Sequence, residues 1–309
     1  MPKPGVPVSS PNEGRLCGRR LAEKIRLVIL AGLLVSTAAI PAARQDDATR
    51  HWVLDRLHAS LSSPLKLDEI ASMLFGLVNV RDVAEQPDTR RVLGELADRV
   101  RSLDPATLGC DGVINLRVIE GFLNMAGMEL DPTALSSRIQ GCMEEVNLLD
   151  RASALYALCY FADPVPQKRL TRAMKSIEAL QLPDGSFGAG HGMTHFYTTT
   201  HAVFALHACG GDPITLQLGQ EYLINSLPGL RQAGFIDGLM QGLLMLKKME
   251  VKIPGESRYV AYLRSRIRSN GSICCFDRPG CASDPHATSM LLEFLHVFPA
   301  ATTPSSTVR

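Results

Sequence analysis

The chain has 309 residues, 46% apolar and 6% aromatic, with 32 basic and 31 acidic side chains for a formal charge of +1. That length supports one large domain or two small ones with an ample core, too large a core for a disulfide scaffold. The charge balance leaves no basic field for nucleic acid and no acidic tail for a charged partner. Trp52 is the only tryptophan, which argues against an aromatic-lined cavity of the kind that stabilises carbocations.

Residues 1–14 are rich in Pro, Gly and Ser and are expected to be disordered. Residues 15–43 read as a signal-like or anchoring segment. Arg15, Arg19, Arg20, Lys24 and Arg26 precede an apolar run over 27–43 that ends in small residues, the order of an export signal or a short anchor. The run is shorter than the roughly 20 residues that span a bilayer comfortably. An amphipathic helix packed on the domain is the alternative. The balance favours an exported or membrane-anchored chain over a cytoplasmic one.

From residue 48 to 298 the apolar spacing predicts six helical hairpins. They are 48–61 with 67–80, 89–103 with 114–128, 133–146 with 151–161, 167–180 with 194–209, 214–227 with 235–249, and 257–268 with 287–298. In most pairs the second helix is the more apolar, so it should be the inner one, screened by its amphipathic partner. Strand signals are absent, and the tail 299–309 should be disordered. Asp184-Gly185-Ser186-Phe187-Gly188 is a turn with two positions free for positive φ. Gly234-Phe235 and Asn270-Gly271-Ser272 repeat the plan downstream. Recurrence at this spacing indicates stacked helix–loop–helix units. Six hairpins with apolar inner helices predict an all-α fold, an (α/α)6 toroid. An open solenoid would need polar capping helices, whereas the last helix, with Met290, Leu291, Leu292, Phe294 and Leu295, is strongly apolar.

Cys17, Cys110, Cys142, Cys159 and Cys209 are scattered through the pattern and read as small buried hydrophobes. Cys274, Cys275 and Cys281 gather in the loop before His286. Thiolates and an imidazole are soft ligands suited to zinc. If the chain is exported, Cys281 pairs instead with Cys274 or Cys275 and staples the loop; if it is cytosolic, these are ordinary thiols. In a toroid the starts of inner helices face the funnel, which makes His191 and His195 candidate general acid–base groups. His207, deeper along that helix, reads as a packed core histidine. Thr198, Thr199 and Thr200 crowd the first turn, where capping accounts for at least one of them.

The segment QLPDGSFG resembles the repeat loop of squalene cyclases and protein prenyltransferases. Gly234-Phe235-Ile236-Asp237-Gly238 is similar to the turn and inner-helix start of prenyltransferase β-subunits. Asp277-Arg278-Pro279-Gly280 resembles that family's Asp-Lys-Pro-Gly loop, and Asp284-Pro285-His286-Ala287-Thr288 the start of its final helix. The likeness covers roughly residues 165–298. It implies a toroid and a zinc-dependent transferase or cyclase acting on an isoprenoid or a peptide thiol. It places zinc on Asp237 and His286. The family's third ligand falls on Leu239, so Cys275 or Cys281 would have to replace it. His191, His195 and Asp277 are then the candidate catalytic groups, and Arg278 and Tyr197 the candidate substrate contacts. Gly190-His191-Gly192 and the 275–280 loop also faintly resemble lanthionine-synthetase cyclases, without their later Cys-His-Gly. Two further readings stand beside the enzyme: a non-catalytic toroid that binds an apolar or peptide ligand, and a scaffold for a helical partner subunit.

Overall fold

The computed structural model describes residues 42–299, apart from 63, 132 and 145–146. The expectations for 1–14, for most of 15–43 and for the tail beyond 299 lie outside the described residues. Twelve helices follow the predicted hairpins. They are α1 (Ala42–Leu61) and α2 (Leu67–Asn79), α4 (Pro87–Arg101) and α5 (Cys110–Met125), α6 (Thr133–Cys142) and α7 (Leu148–Tyr160), α8 (Gln167–Glu178) and α9 (Gly192–Cys209), α10 (Pro213–Gln232) and α11 (Ile236–Lys248), and α12 (Glu256–Arg264) and α13 (Pro285–Val297). A single-turn α3 (Arg81–Ala84) and a 3₁₀ turn, Pro105–Thr107, fill two connections. Strands are absent among the described residues, as expected, and no described helix is long and apolar enough to cross a membrane.

Local chemistry sets the helix starts. Asp212 and Asp284 each accept a backbone N–H at 2.8 Å, from Thr215 and Ala287, and a proline occupies the first helical position behind each, where its missing N–H costs nothing. One stop is missed: α10 runs through Pro228 to Gln232. A proline there removes the bond to the Ile224 carbonyl, a loss that water can make good on this outlying helix.

The second helix of each pair is the buried one. On α13 every residue from Ala287 to Leu295 is buried, and on α11 nearly all from Ile236 to Leu246, whereas α8 buries only Ala173 and Ile177, and α12 only Leu263. The second helices contact one another in sequence, α2 to α5, α5 to α7, α7 to α9, α9 to α11 and α11 to α13, and α13 packs against α2. The first helices lie against them, with α1 touching both α2 and α13.

The turns at 184 and 270 have the same hydrogen bonds. Asp184 accepts from the Ser186 N–H and hydroxyl at 3.0 and 2.6 Å; Asn270 accepts from those of Ser272 at 3.1 and 2.7 Å. The Phe187 N–H then donates to Thr199 Oγ1 at 3.0 Å, and the Ile273 N–H to Thr288 Oγ1 at 3.2 Å. Gly185 (φ 86°) and Gly271 (φ 80°) supply the left-handed residue, and both lie against backbone with no room for a side chain. Helix α9 starts at Gly192, so the three threonines sit beyond its first turn and cap nothing. Thr199 orients the preceding loop, and Thr200 bonds back to the Phe196 carbonyl. His207 is exposed, on the outward side of α9, and is not a core residue.

The scattered cysteines are not simply small hydrophobes. Cys110 at the start of α5 is joined to Cys142 at the end of α6, and Cys159 to Cys209 at the ends of α7 and α9, with Cα separations of 5.6 and 5.3 Å. Cys274 and Cys281 close the loop before α13 at 6.2 Å. Periodicity records only that a position is buried; which sulfur meets which depends on how the helices stack.

Candidate functional site

One cavity of about 180 Å³ lies among the second helices and takes side chains from all six, including Phe75 on α2, Val118 on α5, Tyr156 on α7, His201 on α9, Gln241 on α11 and His286 on α13. Its wall is mainly apolar and aromatic. Most of its polar lining groups fall into two sets, each backed by buried residues, Asp237 and Tyr197 in one and Glu293 in the other, that do not themselves line the cavity.

The first set gathers around the start of α11. The N–H groups of Ile236 and Asp237 both donate to the Cys275 carbonyl, at 3.0 and 3.2 Å, which fixes that helix end beneath the 274–281 loop. Asp237 is only 2% exposed. Tyr197 donates its hydroxyl to Asp237 Oδ2, and His286 Nε2 lies 3.6 Å from Oδ1. Burial pushes the Asp237 carboxyl up to about 6, against the pull of His286 and with a further push from Asp284. The Nδ1 of His286 is buried with no hydrogen-bond partner. His201 lies against Ser153, 3.2 Å from Nδ1 to the hydroxyl, and burial, aided by His286, pushes its imidazole down to about 4. It is therefore neutral at physiological pH. Thr200 Oγ1 lies 3.3 Å from the Gln241 side-chain amide, its one proton already shared with the Phe196 and Tyr197 carbonyls.

The second set lies about three turns further along α11. Lys248 pairs with the buried Glu293 of α13 at 2.8 Å. Its ammonium sits 4.6 Å from the Phe75 ring centre and 5.6 Å from that of Phe204, a partly desolvated cation–π arrangement. Tyr156 stacks on Phe204 at 4.6 Å. Burial, and the neighbouring Glu293, hold the Tyr156 hydroxyl well above its ordinary range.

Of the residues singled out from sequence, Asp237, His286 and Tyr197 are brought together. The others are not. His191 is an exposed residue preceding α9, and His195 turns outward, edge-on to Tyr222 of α10 at 6.0 Å. Asp277 and Arg278 are exposed. Asp277 pairs with Arg266 at 2.7 Å and accepts from Tyr262 at 3.1 Å, and Arg278 lies over Phe276 at 4.7 Å. His191 and His195 were expected to face the centre, and Asp277 and Arg278 to serve as a catalytic group and a substrate contact. His191 and the 277–278 loop lie at the surface, and His195 is turned toward α10. Cys281 is tied to Cys274, Cys275 is disulfide-bonded as well, and no described cysteine is a free thiol. Among the described residues no three His, Cys, Asp or Glu side chains converge to hold a metal ion.

The sequence reading missed Ser153, His201, Gln241, Lys248 and Glu293. The available signal was a lone polar residue within an otherwise apolar stretch, as with Gln241 among Leu239, Met240, Leu243 and Leu244. No protein-family model matches the chain, and comparison with curated proteins finds no match.

Proposed function

We propose that the chain is an (α/α)6 toroid whose function is to bind a small, largely apolar molecule at its centre. The observation that carries this reading is the single cavity to which all six inner helices contribute. The contact of α13 with α2 supports closure of the ring. A cavity of about 150 Å³ accepts a benzene ring, whereas drug-sized ligands occupy roughly 300–1,000 Å³. A volume of about 180 Å³ therefore suits a single ring or a short branched chain. His201, Ser153 and Gln241 offer it neutral hydrogen bonds at one end. That every described cysteine is disulfide-bonded supports an exported chain, since such bonds persist in oxidising compartments.

Thermal shift of the full oxidised chain against a panel of one-ring and short branched hydrocarbons, alcohols and ketones tests the reading. At least one class should raise the melting temperature of the parent and not of Ser153→Phe, which fills the cavity. No shift with any class, or equal shifts in the filled variant, would overturn it.

A second reading is acid–base catalysis on that molecule, favoured by one feature: a buried carboxyl at about 6 facing an imidazole. Under it, Asp237→Asn and His286→Ala retain binding and lose turnover. The zinc-dependent transferase implied by the family resemblance has less support. With Cys275 and Cys281 oxidised, Asp237 and His286 remain, two ligands where a zinc site takes three or four. Neither reading is routed through a metal.

A further inference from the structure

The outer surface carries a second concavity, an open groove of about 780 Å³ between α10 and α12, lined by Pro228, Arg231, Arg258, Tyr259, Tyr262 and Arg266 among others, with no carboxylate in its wall. Arg231, Arg258 and Arg266 are all exposed. Two of the guanidinium groups share one ring, Arg231 at 5.5 Å and Arg266 at 4.9 Å from the centre of Tyr262. These contacts fix the two guanidinium groups beside the tyrosine; Arg266 already gives its Nε–H to Asp277, while Arg231 keeps its N–H donors for a carboxylate. Only Arg266 has an acidic partner, Asp277 at the rim; among the described residues none pairs with Arg231 or Arg258.

We propose that this groove is a docking site for a carboxylate-rich segment of a partner polypeptide. Charge complementarity sets the sign of the partner: three arginines line the groove and no carboxylate does. Form sets its class. The groove is too open and elongated to enclose a small anion, and Pro228, Pro254 and the two tyrosines give flat apolar walls between the charges, which suit a peptide backbone and its aliphatic stems. A nucleic acid is disfavoured because the whole chain carries a charge of only +1, without the broad basic face that tracks a phosphate backbone. Because Arg231 and Arg266 are already ordered on Tyr262, binding costs less side-chain entropy there. The site is independent of the central cavity.

The test is fluorescence anisotropy of a short labelled Glu-rich peptide with the full oxidised chain at low salt, beside a Lys-rich peptide of equal length. The Glu-rich peptide should bind and the Lys-rich one should not. The double variant Arg231→Glu/Arg258→Glu, shown to be folded by circular dichroism, should weaken binding at least about tenfold, while Arg91→Glu on distant α4 leaves it unchanged. Ser153→Phe should also leave it unchanged, which separates this result from the fate of the cavity. Absence of binding, equal loss in Arg91→Glu, or capture of a sulfated oligosaccharide that the peptide cannot displace would each overturn the proposal.

Discussion

Gly76 of α2 donates its backbone N–H to the Ser289 hydroxyl of α13 at 3.0 Å, and the same hydroxyl donates to the Met73 carbonyl at 2.5 Å. The Ser289 carbonyl oxygen fills the space that a β-carbon on Gly76 would occupy. The last inner helix thus meets the first through a glycine and a two-bond serine. Both helices must separate if either residue grows.

Gly76→Ala should therefore destabilise the protein by at least about 2 kcal/mol, through overpacking against backbone that cannot turn aside. Alanine favours helix over glycine by up to about 1 kcal/mol, so a net gain in urea unfolding would show that this seam is loose.

Arg117 and Asp163 are 3% and 4% exposed, joined from Nε to Oδ2 at 2.8 Å, and Ser136 adds a bond to the same oxygen at 2.9 Å. The guanidinium also covers Phe161 at 4.8 Å. Removing one partner strands a buried charge, so Asp163→Ala should cost about 3–5 kcal/mol. Asp163→Leu/Arg117→Met should recover much of that loss in the same unfolding measurement.

Glu120 lies beside this pair. Burial pushes its carboxyl from an ordinary 4.5 up to about 7, despite the pull of Arg117, and Asp131 and Asp163 add to the rise. The folded chain thus holds a proton that the unfolded chain releases. Stability is full below about pH 4.5, falls as pH rises through the interval, and is lost above about pH 7. Glu120→Gln should gain on the order of 2–3 kcal/mol near pH 8 and little near pH 4. A gain that is the same at both would show that Glu120 is not the titrating group.

His286 lowers the Asp237 carboxyl, so His286→Ala should move it above its present value of about 6. Carbon-13 NMR titration of the Asp237 carboxyl reads this directly; a downward move would mean that another cation controls the site.

Reduction should be costly. Cys110–Cys142 and Cys159–Cys209 close segments of 32 and 50 residues, each worth about 3–4 kcal/mol by loop entropy. A melting temperature indifferent to reductant would contradict both pairings.

The helices were legible because twelve apolar stretches keep the helical period and several of them stop at or just before Gly, Pro or Asp. Asp237 and His286 were singled out through the family resemblance of the turns and helix starts around them, which implied a zinc site rather than the buried pair. The rest of the cavity was not. Ser153, His201 and Glu293 acquire meaning only from residues on other helices, and no spacing along one chain encodes that Ser153 meets His201 or that Lys248 meets Glu293. His195 shows the converse: a residue at the right place along the helix, rotated to the wrong side.

The two matching turns differ at one atom pair that matters in acid. Hydrogen bonds from Ser186 hold the Asp184 carboxyl below its ordinary value of 3.8, so its turn is strengthened above that pH and loses the benefit as pH falls through the lowered value. Asn270 makes the same bonds with an amide that takes up no proton in this range. Acid should consequently loosen the α8–α9 connection while sparing its twin before α13, with faster amide exchange at Phe187 than at Ile273. Equal rates at both would show that the carboxylate's charge is irrelevant to the turn. Two structurally equivalent joints would then respond unequally to one solvent change, which gives the chain a direction in which it yields first.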